Sequence, residues 1–411
     1  MGAKLPTFVP PKTARRRTAL LTSRRHRKMA ASAHAYVRGS TARFYEWVNE
    51  TAASNLPEGP SVWICGDCHT GNLGPVAAAD GKVEIQIRDL DQTVIGNPIH
   101  DVLRLALSLA TAARGSDLPG ITILQMMEAL AEGYESAFGP GAQRQDISEM
   151  PPSLKVTVRK ALHRTSQQLA RERIRDTTPA IPLGRRFWPL GSAERKALKA
   201  LFEQSKLAAL ATCLKSRLNG CDVSVLDAAY WVKGCSSLGR LRYAVLLDVD
   251  GEMLDGDDLC LIDIKEGVSA DAPRVRNAEM PRDNAERVVA GAVHLSPFLG
   301  TRMCPARLLE RSVVVRELLP QDLKLDMEQL ARREAMEISR YLGAVVGKAH
   351  ARQLGADDRR AWRKAMHSAR SRSTNIPNWL WKSVIELLAI HQIAYLEHCR
   401  RHAKSCLRSW P

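Results

Sequence analysis

Cys65-Gly66-Asp67-Cys68-His69-Thr70-Gly71-Asn72, followed at some distance by Arg88-Asp89-Leu90-Asp91, is the part of the chain where chemistry-bearing side chains are densest. Asp and Asn in a glycine-containing segment suit a tight loop. An Asp in such a loop can accept a proton from an attacking hydroxyl, and an Asn five residues on, with an Asp beyond a strand, offers hard oxygen ligands of the type Mg²⁺ prefers. Asp67 is therefore a candidate base, and Asn72, Asp89 and Asp91 are candidate metal ligands.

The surrounding pattern gives the loop its context. Val62–Cys65 reads as a strand, and in 83–88 Val83, Ile85 and Ile87 alternate with polar residues, the period of a strand that delivers Asp89 to a loop. Asp101 opens an apolar helix and Ile121–Phe138 reads as another, so this part is mainly helical. Residues 140–190 are rich in Pro, Gly and basic side chains, with a helix expected over Leu154–Arg173. After a helix at 192–216, strand-like runs at 229–233, 241–247 and 259–264 predict a small antiparallel sheet whose last two strands form a hairpin. A helix at 284–294, a strand at 313–317 and helices at 327–354 and 379–399 complete the reading. The fold class is α+β.

With 411 residues, 45% hydrophobic and 25% charged, the chain is long enough for two or three domains, and no apolar run approaches the roughly 18 residues of a membrane span. The net charge of +16 is mostly terminal: residues 1–45 carry eleven Lys or Arg and no acid. Residues 1–28 are expected to be a basic, disordered or extended arm without the apolar segment of a secretory signal, suited to an anionic partner, nucleic acid included. Nine irregularly spaced cysteines point to buried thiols in a reducing cytoplasm. Cys65-x-x-Cys68-His69 also fits c-type haem attachment or part of a zinc site, but neither uses Asn72, Asp89 or Asp91.

The spacing resembles the H-G-D-x-H-x-x-N then I-D-[FW]-[DE] pattern of aminoglycoside phosphotransferase-like and other kinase-fold enzymes, with Cys65 where those enzymes usually carry His. The resemblance implies ATP and Mg²⁺ as cofactors, Asp67 as the acceptor-orienting carboxylate, and Asp89 as the metal-binding Asp. It also implies a nucleotide clamp, for which the chain offers Gly234, Ser236, Ser237 and Gly239 in a glycine-rich hairpin, Lys265 at a strand end, Glu286 on the next helix, and a hinge strand ending in Glu317. The catalytic-loop half precedes the clamp half, and the Leu342–His350 helix resembles the one that normally precedes the catalytic loop. The implied architecture is a circularly permuted, two-lobed kinase-like fold: helical lobe at 29–220, sheet lobe at 221–320, and helices at 321–411 returning to the first lobe.

Together with Met29, Ser32 and Tyr36-Val37-Arg38-Gly39, the segments Gly66 to Gly74, Asp89 to Asp91, Asp101 to Ser108 and Gly234 to Gly239 are similar to the motifs of the bacterial family called domain of unknown function 2252, over about 25–400. Ser236 replaces that family's middle loop glycine. The functional expectation is transfer of the ATP γ-phosphoryl group to a hydroxyl-bearing acceptor; its rivals are an inactive kinase-fold interaction module and nucleic-acid binding through the basic arm.

Overall fold

The computed structural model describes residues 14–52, 56–140, 150–163, 180–204, 207, 209–210, 222–235, 237–249, 259–319, 321–323, 332–370 and 375–407. Three helices come first, α1 (Ala14–Ala30), α2 (Ala33–Gly39) and α3 (Thr41–Trp47), the last running on as a π-turn over Val48–Ala52. Four short strands follow: β1 (Val62–Ile64), β2 (Leu73–Ala77), β3 (Val83–Ile87) and β4 (Val94–Gly96). They form two antiparallel pairs, β1 with β4 and β2 with β3, the latter in the register Leu73↔Ile87. Then come α4 (Ile99–Gly115), α5 (Gly120–Ser136) and α6 (Pro152–Leu162).

The sheet region contains β5 (Phe187–Trp188), α7 (Ser192–Phe202), β6 (Val223–Trp231), β7 (Arg242–Val249), β8 (Leu259–Glu266), α8 (Asn284–Leu295), the single turn α9 (Pro297–Gly300), β9 (Met303–Leu308) and β10 (Arg311–Leu318). Its six strands are antiparallel in the order β5-β6-β7-β8-β10-β9. Tyr243, Val245 and Leu247 pack on one face, and Ala244 and Leu246 on the other. Burial of both faces is why these strands are near-continuous apolar runs rather than alternating ones. The helices α10 (Arg332–Ala351), α11 (Ala356–Ser368) and α12 (Asn378–Leu407) then contribute to the same core as α3, α4 and α5.

Mixed α and β structure with an antiparallel sheet is as expected. The stretch expected to be an extended arm to residue 28 is instead helical from Ala14. Leu21 is fully buried in the sheet core, and Arg17 is buried in an ion pair with Glu194 at 2.6 Å, so tertiary packing orders a segment whose charge suggested solvation. Residues before 220 also build the sheet region: β5 pairs with β6, and α7 packs on the sheet core. β2 was not anticipated: Gly74 and Pro75 argue against a strand, and it forms because it lies in a two-stranded ribbon where Pro75 needs no second neighbour. Helix α6 ends at Leu162 and α7 at Phe202, while the remainder of the predicted helices at 164–173 and 211–216, the hairpin turn 250–258 and the helix start at 327–331 lie outside the described residues.

Candidate functional site

One face of α4 holds the loop at 65–72. Asp101 accepts from the backbone N–H of Cys65 at 2.7 Å and of Gly66 at 2.9 Å, Arg104 donates to Asp67 Oδ1 at 2.8 Å, and Ser108 accepts from the N–H of Thr70 at 3.2 Å. Spacings of three and four residues put these side chains on the same helical face, so each braces a successive point of the loop. Gly66 has φ +75° and its missing Cβ would sit 2.1 Å from the carbonyl oxygen of Gln92, so no larger residue fits. Behind Asp101 runs a buried chain: His350 Nε2 lies 3.2 Å from Asp101, and the Tyr134 hydroxyl 3.0 Å from His350 Nδ1.

Burial pushes the Asp67 carboxyl up, while Arg104 and a hydrogen bond from Thr41 work against that. His69 Nε2 stands 3.8 Å from the second Asp67 oxygen. Burial, with Arg38 and Arg104 nearby, lowers the His69 pKa well below its ordinary value. The Asn72 amide nitrogen donates to the Asp67 carbonyl at 2.9 Å, which leaves Oδ1 as its available ligand atom.

Asp89 and Asp91 lie just past β3 and face the end of β8. Lys265 Nζ is 3.0 Å from Asp89 Oδ1 and 2.5 Å from Asp91 Oδ2, bridging both. Burial works to raise the Asp89 pKa, but Lys265 outweighs it, with Arg242 and Arg316 in support, and holds the carboxyl well below the usual range. Asp91 goes the other way: burial and then the Asp89 charge raise it. The backbone of this loop is strapped by Arg287, which donates to the carbonyls of Thr93, Asp91 and Val268.

Groups from both loops line one cleft that encloses about 1040 Å³, its open mouth included. Of the residues singled out from sequence, Asp67, Asn72, Asp89, Asp91, Gly234, Ser237 and Lys265 are on its wall. Gly239 is not: it approaches α1, whose Thr18 hydroxyl points at its carbonyl from 3.5 Å. Glu286 is not a partner of Lys265. It is exposed in the first turn of α8, where its N–H is capped by Asp283 at 3.1 Å, and the acid partners of Lys265 are Asp89 and Asp91. Glu317 is 1% exposed, within hydrogen-bond range of the Cys260 thiol and off the cleft wall; Val314 and Arg316 are the β10 residues that reach it. Ser236 lies outside the described residues.

Sequence reasoning missed Lys233, Arg242, Asp263 and Arg316 on this wall. Arg242 grips Asp263 at 2.9 and 2.5 Å and reaches the Ser237 hydroxyl at 3.3 Å, while Arg316 approaches the same carboxylate at 3.5 Å. Lys233 is held well below its ordinary pKa by burial, with Asp263 opposing and Arg242 and Arg316 reinforcing. The cleft carries six basic side chains (Arg38, Arg88, Lys233, Arg242, Lys265, Arg316) against four carboxylates (Asp67, Asp89, Asp91, Asp263), and the basic groups outnumber the acids even without Lys233, which suits an anionic ligand. The available signal was a charge inside an apolar run, such as Asp263 in Leu-Cys-Leu-Ile-Asp-Ile. Cys65 and Cys68 are buried free thiols. The Cys65 pKa is raised by its hydrogen bond to Cys68 and by burial.

Residues 16–401 match the family described as "Uncharacterized protein conserved in bacteria (DUF2252)". The chain belongs to the DUF2252 family. No curated protein and no solved structure matches it. The DUF2252 match starts within α1 and ends within α12, so it takes in both walls of the cleft and the helices that join them. Among the described residues no helix is long and apolar enough to cross a membrane.

Proposed function

We propose that this DUF2252 protein is an ATP- and Mg²⁺-dependent phosphotransferase on a circularly permuted kinase-like fold. The observation that carries the reading is the bridge from Lys265 to Asp89 and Asp91, across 176 residues of sequence in the first case, in a cleft that Asp67 and Asn72 also line. Further support comes from the order of elements in the sheet region: a hairpin with Gly234 in its loop, a central strand with Lys265 next to its end, a helix, then the strand pair β9–β10.

The donor set fits the implied metal. Two carboxylates and an amide oxygen are hard ligands of the kind Mg²⁺ takes, and the metal would neutralise charge on the transferring phosphate. Lys265 and the surrounding arginines would hold the α and β phosphates. Asp67, fixed by Arg104, would take the proton of the acceptor hydroxyl as its oxygen bonds to the γ phosphorus and the bond to ADP breaks. Catalysis of this kind is mainly positioning and charge neutralisation, so this small set is chemically sufficient. The buried free thiols support a reducing, cytoplasmic setting.

The test is thermal unfolding with ATP, ADP and GTP, with and without Mg²⁺, on the wild type and Asp89→Ala. A ligand at a hundred times its Kd stabilises the native state by about 2.7 kcal/mol. A magnesium-dependent shift that Asp89→Ala abolishes is expected, and no shift in folded protein overturns the reading. The exposed position of Glu286 favours a second reading, a kinase-fold interaction module. Nucleotide binding without ADP release over a panel of hydroxyl acceptors would select that one.

A further inference from the structure

A second cluster of chemistry-bearing side chains lies where the first described helix meets the last. His398 and His402 are four residues apart on α12, hence on one face of it, and His26 of α1 packs against both. Ring centroids are 4.1 Å apart for His26 and His402, 4.5 Å for His398 and His402, and 5.4 Å for His26 and His398. Taking one ring nitrogen from each, the three atoms lie within 4.8 Å of one another.

Two further observations point to a ligand. His398 Nε2 sits 3.0 Å from the backbone carbonyl of His26, which makes it the N–H donor and leaves the lone pair on Nδ1, the arrangement that orients metal-binding histidines. His26 Nδ1 is buried without a hydrogen-bond partner, an orphan that a bound ion would satisfy. The nearby carboxylates are engaged elsewhere, Glu397 with Arg401 at 3.3 Å and Glu46 with Arg43 at 2.8 Å. The donors on offer are therefore imidazoles, which suit Zn²⁺ rather than Mg²⁺ or Ca²⁺.

We propose that His26, His398 and His402 form a zinc site that clasps α1 to α12. Zn–N bonds of about 2.0–2.1 Å at tetrahedral angles put ligand nitrogens ~3.4 Å apart, so side-chain rotation suffices and the helices stay in place. The rings border a cavity shared with Tyr36, Ile393 and Ala394, which gives room for that rotation and for water in the fourth position. Lys28, two residues after His26, donates to the Gly234 carbonyl at 2.8 Å. The clasp therefore also steadies a helix that touches the rim of the cleft.

The test uses full-length protein made without a polyhistidine tag and stripped of metal by chelator. Titration with Co²⁺ should give one ion per chain, with d–d bands but no thiolate charge-transfer band, and Zn²⁺ should displace it. His26→Ala and His402→Ala should each weaken Zn²⁺ binding at least about 10-fold, the lower end of what even outer-shell losses cost. Zn²⁺ should raise the Tm of the wild type but not of His402→Ala, whose Tm in chelator should equal the wild-type value. Thiolate bands that persist in both variants would assign the metal to cysteines and overturn the proposal. So would Zn²⁺ affinity that neither variant changes, or the absence of Co²⁺ bands. His402→Gln carries the same comparison should His26→Ala not fold.

Discussion

At the scale of single residues, the site depends on charges buried in pairs. Arg104 is fully buried, and besides Asp67 it donates to the Val37 carbonyl at 2.5 Å. Replacing it by Met would leave the Asp67 carboxylate in the core without its cation. Breaking a buried pair in this way costs about 3–5 kcal/mol, most of it the penalty of the abandoned charge. Urea unfolding of Arg104→Met should show that loss, and adding Asp67→Asn should recover a large part of it. Equal losses in the single and double variants would mean that the pair is not coupled. Gly66→Ala combines a left-handed backbone with a collision against the Gln92 carbonyl and should cost at least about 2 kcal/mol by the same measurement. Residues such as these are only half legible in sequence. Arg104 stands out as a charge inside an apolar helix, but what it neutralises lies 37 residues away and cannot be read from periodicity. Glu286 fails for the complementary reason. Its position on the helix after the lysine strand was read correctly, but which side of α8 faces Lys265 depends on how the Asp283 cap starts the helix.

At the scale of elements, the closest approach is between α5 and α10. A Cβ on Gly133 would lie 1.9 Å from the Arg340 carbonyl, one on Gly343 2.4 Å from that of Leu130, and one on Gly347 2.5 Å from that of Tyr134. The four-residue spacing of Gly343 and Gly347 puts both on the face turned to α5. Neither can take a methyl group unless the helices separate. Gly343→Ala and Gly347→Ala are each expected to destabilise by about 1–3 kcal/mol, despite alanine's better helix propensity. Stability equal to or above the wild type would show that the helices can part freely. Since His350 rides on α10 and reaches Asp101, a shift of that helix should also disturb the loop at 65–72. Most elements were legible because each carries its own period: alternation in β3, long apolar runs in β7 and β8, helical spacing in α4 and α5. Those that were missed owe their existence to partners. α1 is helical because the sheet core accepts Leu21, and β2 is a strand because β3 pairs with it. Partner-dependent structure leaves little local signal.

At the scale of the whole molecule, protonation couples the cleft and the helical core to pH. His100 on α4 and His391 on α12 are both buried, and burial pushes their pKa values down to about 4 and about 3. In the unfolded chain each takes up a proton below about pH 6.5, whereas the folded chain resists until its own lower value. The unfolded state then binds more protons, so stability must fall as pH drops from 6.5 toward 4, by about 1 kcal/mol for each histidine at pH 5.5. The carboxylates Asp89 and Asp263 follow at lower pH. Their folded pKa values are depressed, Asp89 by Lys265 and Asp263 chiefly by Arg242, both against the opposing effect of burial. The stability they supply is complete above about pH 4 and is lost as pH falls below it. A chain already at +16 gains further self-repulsion from each added proton, which acts in the same direction. Urea unfolding at pH 7.5 and 5.5 should therefore show lower stability at the acid value. His391→Leu removes one such group and should shrink the difference by about 1 kcal/mol. If wild type and variant lose the same amount, His391 is not a source of the loss.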